Sequence, residues 1–233
     1  MMLLGGRHPD LKQVAIVTRD LRFKMLLSSI LNDWKFTTVE DLSAAQVVLA
    51  EHGMKLPAHA SEVVWLTPLP LAAGSCLPTP ISLTTLYQLL EGRYFPTPRR
   101  HIRVAMKLPI VLKVADARQT GSLVSLSDRG GRIRCADEIA RGSLLQLEVK
   151  LAGRTFITAA EVLYCIPAGD SSGRLQPQVG VLFKATSDQE INMLRGFVEK
   201  TCIEHACARE NISVNDPCLS WLAVPADPWY ATA

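Results

Sequence analysis

Arginine side chains are concentrated in one stretch of the chain, where few acidic residues accompany them. Between Arg93 and Arg134 only Asp116 and Asp128 oppose the basic residues, which are Arg93, Arg99, Arg100, Arg103, Lys107, Lys113, Arg118, Arg129, Arg132 and Arg134. An arginine guanidinium can bind a phosphate through two parallel hydrogen bonds and can stack on a flat base. The stretch therefore suits a nucleotide ligand, although a solvated basic surface is the commoner role of such a run.

A serine- and glycine-rich segment, SLSDRGGRI, follows at Ser125–Ile133 between two predicted strands. The Ser127 hydroxyl can bond the local backbone or the edge of a ligand. Gly130 and Gly131 permit positive φ angles and allow a ligand to approach the main chain closely. We interpret the segment as a tight glycine turn, which gains meaning from the arginine residues near it.

The composition indicates a folded protein rather than a disordered chain. The 233 residues are 48% apolar and 20% charged, with a formal net charge of +3, which suits a packed core in one or two domains. So mild a charge argues against a strongly basic nucleic-acid binder. The sequence shows neither an apolar run of membrane-spanning length nor a signal peptide, so we expect a cytoplasmic protein without membrane insertion.

Residues 12–90 alternate apolar runs with helical patterns, which is typical of a parallel sheet covered by helices. Asp20 and Ser82 can each cap a helix, and Gly92 is expected to end the second. A short helix is also expected near Leu42–Gln46. We predict an α/β domain over residues 1–94, with strands at Lys12–Thr18, Lys35–Val39, Val47–Ala50, Glu62–Thr67 and Cys76–Ile81.

The pattern changes after Tyr94, where the stiff PTP sequence is followed by short strands of period two. Ala152–Arg154 predicts a hairpin turn, and the regular spacing of the strands predicts a small antiparallel barrel. Ser187 and Glu190 form a capping-box pattern before a final helix. We predict that this barrel domain occupies residues 95–203.

The remaining residues, 204–233, are predicted to form an irregular tail. They carry three aromatic residues, Trp221, Trp229 and Tyr230, which could dock the tail or contact a partner. Cys202, His205, Cys207 and Cys218 bring zinc-ligating residue types together, but their spacing fits no common zinc pattern. We interpret these cysteines as reduced, mostly buried thiols and expect no metal.

The arginine stretch and the serine–glycine segment together resemble the PilZ domain, the cyclic di-GMP receptor family. The family pattern is Arg-x-x-x-Arg followed by Asp/Asn-x-Ser-x-x-Gly, and Arg99, Arg103, Ser127 and Gly130 stand at its positions. Ser125 stands where the family has Asp or Asn. Its shorter, uncharged hydroxyl would bond a guanine edge more weakly or through water.

The resemblance covers roughly Pro98–Lys200 and implies a six-stranded antiparallel barrel with a C-terminal helix. It implies a mobile loop in which Arg99 stacks on a guanine or bridges to it, Arg103 binds a phosphate and Arg100 serves either role. Ordering of this loop would relay the ligand level to a protein partner, without a cofactor, metal or catalytic residue. The implied cyclic di-GMP-binding residues are Arg99, Arg100, Arg103, Ser125, Ser127, Gly130 and Gly131.

The first part of the chain resembles a degenerate response-regulator receiver domain over about residues 12–91. The likeness lies in VAIVTRDLRFKMLLSSIL and LPTPISLTTLYQLLE, and Thr67 fits the receiver's hydroxyl position. A receiver holds Mg²⁺ on an acidic pair, where this chain has Thr18 and Arg19. Glu51 would stand near the phosphoacceptor position and Thr79 at that of the lysine. We expect a domain that cannot be phosphorylated and serves interaction or dimerisation; the alternative is an unrelated small α/β domain.

Other functions compete with a cyclic di-GMP sensor. A PilZ-like scaffold without ligand binding would act only through protein contacts; Ser125 favours this reading and the arginine pair opposes it. A nucleic-acid binder would need an aromatic stacking platform interleaved with the basic residues, and the stretch lacks such a platform. No nucleophile elbow, P-loop or dinucleotide fingerprint occurs, so we expect no enzyme. A homodimer is one option for the oligomeric state.

Overall fold

The described part of the chain contains eleven strands and three α-helices. The computed structural model describes residues 12–58, 60, 62–69, 71, 74–115, 117–169, 176–184 and 186–225. These form two compact units, one that contains the chain up to Arg100 together with Lys200–Val224, and another that contains His101–Glu199. The predicted division at residues 94 and 203 differs from this, because the chain returns to the first unit.

The first unit is built on a five-stranded parallel sheet with the order β2-β1-β3-β4-β5. Its strands are β1 (Gln13–Val17), β2 (Thr37–Val39), β3 (Val47–Glu51), β4 (Glu62–Thr67) and β5 (Ser75–Pro78). Apart from Glu51, every residue of β3 is buried, as expected for a central strand with both faces covered. The predicted parallel α/β architecture is confirmed.

Two helices accompany this sheet, α1 (Leu21–Asp33) after β1 and α2 (Leu83–Tyr94) after β5. As predicted, Asp20 and Ser82 cap them: their side chains accept hydrogen bonds from the Phe23 and Thr85 backbone N–H groups. The expectation that Gly92 ends α2 is wrong, because the helix continues to Tyr94.

The helix predicted near Leu42–Gln46 is absent, and a hydrogen-bonded turn takes its place. The Asp41 carboxylate accepts bonds from the backbone N–H and the hydroxyl of Ser43, at 2.8 and 2.7 Å. The Asp41 carbonyl accepts bonds from Ala44 and Ala45. A short acidic side chain that bonds the next residues stabilises a turn in competition with a helix.

The chain after residue 200 completes the first unit rather than forming a separate tail. Helix α3 (Asp188–Glu210) extends beyond the predicted boundary, and a 3-10 helix follows at Pro217–Trp221. The Trp221 ring stacks on Phe23 of α1 at 5.0 Å. In α3, Arg209 donates hydrogen bonds to the Ser29 hydroxyl and the Asp33 carboxylate of α1. Trp229 and Tyr230 lie outside the described residues.

The second unit is a closed antiparallel barrel with the strand order β10-β11-β8-β7-β6-β9. This confirms the six-stranded barrel. Its apolar interior includes Ile110, Leu112, Leu123, Ile133, Leu147, Val149, Ala160, Val162, Val179 and Val181. The strands are β6 (Val104–Val114), β7 (Ala117–Ser127), β8 (Gly130–Cys135), β9 (Leu144–Leu151), β10 (Arg154–Ile166) and β11 (Gln178–Lys184).

Two local predictions in the second unit are confirmed. Ala152 and Gly153, both with positive φ, turn the chain between β9 and β10, which is the backbone that a two-residue hairpin requires. At the start of α3 the Ser187 backbone N–H donates to Glu190, and the Glu190 N–H donates to the Ser187 hydroxyl. This is the capping box.

Candidate ligand-binding site

The backbone of Arg99 and Arg100 is held by helix α2 within the first unit. The Arg99 N–H donates to the Glu91 carboxylate at 2.8 Å, and the Gln88 side-chain amide donates to the Arg100 carbonyl at 3.0 Å. Both arginine residues are exposed. These two hydrogen bonds hold the main chain of the segment in this structure, and both side chains face solvent. The mobility of the segment stays a prediction.

The next three residues belong to the second unit. His101 Nδ1 lies 2.8 Å from Asp128 Oδ1, Ile102 is buried, and Arg103 is exposed. Arg103 directly precedes Val104, whose Cα pairs with Leu126, and Ala105 pairs with Ser125. The barrel therefore brings Arg103 beside the part of β7 that carries both predicted serines.

Ser127 shapes the turn between β7 and β8 and is nearly closed to a ligand. Its side chain is almost buried, with the residue 5% exposed. The hydroxyl donates to the Gly130 carbonyl at 3.1 Å and accepts a bond from the Arg129 N–H at 3.4 Å. In this structure Ser127 holds the turn, whereas the half-buried Ser125 is the serine that retains access.

The predicted role of the two glycines as a positive-φ turn is wrong. Asp128 and Arg129 form the turn, and both glycines lie inside β8, where Gly130 pairs with Ser127 and Gly131 with Leu126. Neither has a positive φ. A Cβ on Gly130 would lie 2.1 Å from the Val181 carbonyl oxygen, and one on Gly131 would lie 2.9 Å from the Ser125 carbonyl oxygen. The glycines are needed for close packing of neighbouring strands.

A row of side chains on neighbouring strands continues from Ser125 across the barrel. Ser125 pairs with Arg132, Arg132 with Gly180, and Gly180 with Tyr164. Arg132 alternates along β8 with the buried Ile133, and its Nε is buried without a partner among the described residues. Sequence reasoning counted Arg132 as a basic residue but could not place it next to Ser125, because that requires the strand register.

Asp128 is the second feature that sequence reasoning missed. It is 4% exposed, and Arg195 of α3 donates to its Oδ2 from Nε at 3.2 Å and from Nη2 at 3.1 Å. Its other oxygen faces His101. One signal in the sequence could have identified Asp128. It is one of two acidic residues between Arg93 and Arg134, so several basic side chains are available as its partners.

The carboxyl end of the parallel sheet in the first unit brings together Thr18, Arg19 and Glu51. The Thr18 hydroxyl and the Arg19 N–H each donate to Glu51 Oε2 at 2.9 Å, and the Arg19 guanidinium lies 3.7 Å from Oε1. A cavity of about 400 Å³ opens beside Glu51. Thr67 instead bonds locally, donating to the Leu69 carbonyl.

The described cysteine residues are mostly buried. In the described part of the chain no three His, Cys, Asp or Glu side chains could hold a metal ion together. Burial raises the pKa of the Cys135 thiol to about 11, with smaller effects from Cys165 and Asp137. Burial likewise raises the pKa of Cys218 to about 12, helped by the Asp216 carboxylate. No described helix is long and apolar enough to cross a bilayer.

Comparison with known proteins identifies one region of the chain. The PilZ domain family model matches residues 97–200, and no curated protein sequence matches the chain. Among solved structures, the Bacillus subtilis inhibitor of motility MotI is 16% identical, with a TM-score of 0.40 over 48% of this chain and 53% of that protein. The alignment therefore spans about half the length of MotI.

Two structures determined with cyclic di-GMP align with similar scores. The PilZ domain of Escherichia coli YcgR is 17% identical, with a TM-score of 0.40 over 49% of this chain and 98% of that domain. MrkH of K. pneumonia is 13% identical, with a TM-score of 0.40 over 49% of this chain and 55% of MrkH.

Proposed function

Residues 97–200 form a PilZ domain, and from this premise we propose that the chain is a cyclic di-GMP receptor. The observation that carries the proposal is the pairing of Val104 with Leu126 and of Ala105 with Ser125. It brings the second arginine of the Arg-x-x-x-Arg motif to the strand that bears the serine motif. The guanidinium groups of Arg99, Arg100 and Arg103 have no hydrogen bond or ion pair within the described residues.

The proposed contacts follow from side-chain chemistry. Arg103 binds a phosphate, Arg99 stacks on or bonds a guanine, and Arg100 serves either purpose, because a guanidinium combines positive charge with a flat face. Ser125 bonds a guanine edge, directly or through water. Ser127, Gly130 and Gly131 act through the shape of the β7–β8 turn and the close packing of its strands.

The ligand signal is proposed to reach a protein partner through the arginine segment. This segment connects the two units along the chain, since the first unit includes Arg100 and the second begins at His101. Binding of the ligand to the arginine side chains would change the segment's conformational freedom. A cytoplasmic location and the absence of a catalytic role are part of the proposal.

We propose further that residues 12–91 are a receiver-like domain without phosphorylation chemistry. The strand order β2-β1-β3-β4-β5 is the flavodoxin-like order that receivers share. Thr18 and Arg19 bond Glu51, and in this proposal they stand where a receiver has the acidic pair that holds its metal ion. Within the described part of residues 12–91, α-helices follow only β1 and β5, which differs from a full receiver. The domain is proposed to serve protein contacts.

Calorimetric titration with cyclic di-GMP tests the receptor proposal. We expect binding at micromolar ligand that Arg103→Ala weakens by at least tenfold, since each charge-assisted contact contributes about 1.5–3 kcal/mol. Arg154→Ala is the matched control, because it removes an exposed arginine from β10, away from the site. Absence of heat with the wild-type protein would favour the alternative, a PilZ scaffold that acts by protein contacts, to which Ser125 already points.

A further inference from the structure

Asp128 places a buried carboxylate between the arginine segment and helix α3. It lies in the two-residue turn between β7 and β8, and its side chain is 5% exposed. Oδ1 faces His101 Nδ1 at 2.8 Å, and Oδ2 accepts two bonds from Arg195. Each oxygen of the carboxylate therefore has a partner from a different part of the second unit.

The burial makes these contacts interdependent. A carboxylate removed from water is stable only when its charge is paired and its oxygens accept hydrogen bonds. Arg195 is itself oriented by Asn192, whose side-chain oxygen accepts a bond from Nη1 at 3.2 Å. The Arg195 guanidinium thus holds the Asp128 carboxylate in place through Oδ2, which leaves Oδ1 to contact His101.

His101 is the residue through which Asp128 reaches the ligand-binding segment. It stands between Arg100 and Arg103, and the neighbouring Ile102 is buried in the barrel unit. Two anchors, one polar and one apolar, therefore fix the backbone immediately before Arg103. A fixed backbone reduces the conformational freedom that Arg103 must lose when it binds a phosphate.

We propose that Asp128 is a positioning residue of the ligand site, which pre-orders the arginine segment through His101 and is itself held by Arg195. The inference rests on the proposed function, since it assumes that this segment binds cyclic di-GMP. It goes beyond that function because His101 and Asp128 occupy variable x positions of the Arg-x-x-x-Arg and Ser-x-x-Gly motifs, whose residue types the family pattern does not specify.

The first experiment measures the anchoring without ligand. Hydrogen–deuterium exchange of the backbone amides at residues 101–104 is compared among the full-length wild-type protein, His101→Ala and His101→Asn. We expect His101→Ala to speed exchange at least tenfold, and His101→Asn to restore much of the protection because its amide can still donate to Asp128. Equal exchange in all three proteins would overturn the proposal.

The second experiment measures cyclic di-GMP affinity for His101→Ala, Asp128→Ala and the double variant, with Glu161→Gln as the control. Glu161 forms an ion pair with Lys184 on the same barrel. We expect each single change to weaken binding about tenfold. The double change should weaken binding little further, because both single changes break the same contact between His101 and Asp128. Independent, additive losses would overturn the proposal, since they would mean that Asp128 does not act through His101.

The two experiments separate this inference from the receptor proposal. If the wild-type protein binds no cyclic di-GMP, the receptor proposal fails, while amide exchange still decides whether His101 anchors the segment. His101 is more than one-third exposed, so its variants are expected to fold even if Asp128→Ala does not. Faster exchange in His101→Ala together with unchanged affinity would also overturn a positioning role for the ligand.

Discussion

The ring of Tyr164 lies where a side chain of Gly180 would be. The two residues face each other across β10 and β11, and a Cβ at position 180 would come within 2.2 Å of Cε1 and 2.3 Å of Cζ of the ring. Gly180 also pairs with Arg132, so the ring's position and the row that leads to Ser125 depend on this missing side chain.

Replacement of Gly180 by alanine is expected to destabilise the barrel by about 1 kcal/mol, because the added methyl group must displace the ring of Tyr164, which is 36% exposed and can shift toward solvent. Thermal unfolding of the variant measures this. The double variant Tyr164→Ala, Gly180→Ala should regain part of the loss. Gly92→Ala is the control, since a Cβ there meets nothing within 4 Å; an equal loss in the control would contradict the explanation.

Replacement of Ser125 by aspartate should hold or raise the affinity for cyclic di-GMP, because a carboxylate accepts two bonds from a guanine edge. The cross-strand Arg132 would offset the added negative charge. Ser122→Asp is a matched control, since Ser122 is on the same strand and also pairs with an arginine, Arg134. A sharp loss of affinity in Ser125→Asp, measured by calorimetry, would show that serine is adapted to this site.

Incubation with acetyl phosphate should leave residues 12–91 unmodified. Glu51 is bonded by Thr18 and Arg19, and no acidic pair follows β1 to hold the metal that a phosphoryl transfer needs. Intact-mass spectrometry checks this in the presence of Mg²⁺. An added phosphate on Glu51 or a neighbouring residue would contradict the proposed loss of function.

Alkylation by iodoacetamide at pH 7.5 should spare Cys135 and Cys218. Their pKa values are raised to about 11 and about 12, mainly by burial, and only the thiolate reacts. Because thiols ionise in the unfolded chain near their ordinary pKa, below the raised values of the folded protein, the free energy of unfolding should fall as the pH rises from about 9 toward 11. Peptide mapping after labelling checks the first point and denaturation at several pH values the second.

Local sequence signals predicted much of the fold because the interactions behind them involve only a few neighbouring residues. The capping box at Ser187 and Glu190 and the turn at Ala152 and Gly153 depend only on neighbouring backbone groups. The helix predicted near Leu42–Gln46 was wrong because the side-chain bonds of Asp41 outweighed the apolar pattern. The glycine turn was predicted at the wrong residues for the opposite reason. Position 130 requires a glycine because the Val181 carbonyl oxygen on another strand leaves no room for a Cβ.

The candidate site likewise contains residues that the sequence pointed to and contacts that it did not predict. The resemblance to the PilZ motif pointed to Arg103 and Ser125 as candidates, whereas the contacts among His101, Asp128 and Arg195 join residues far apart in sequence. No periodicity links position 128 to position 195. Such contacts follow from the closed barrel and the return of α3, which the sequence pattern does not specify residue by residue.

The return of the chain to the first unit has a consequence for biosynthesis. That unit takes its sheet from the beginning of the chain and its partners for α1, Arg209 and Trp221, from the other end. The barrel is therefore an insertion within a discontinuous domain. During translation, α1 cannot form its contacts with Arg209 and Trp221 until the whole barrel has left the ribosome. A fragment cut at residue 94 would expose the face of Phe23 that Trp221 covers, so dissection of this protein should remove the insertion rather than the end.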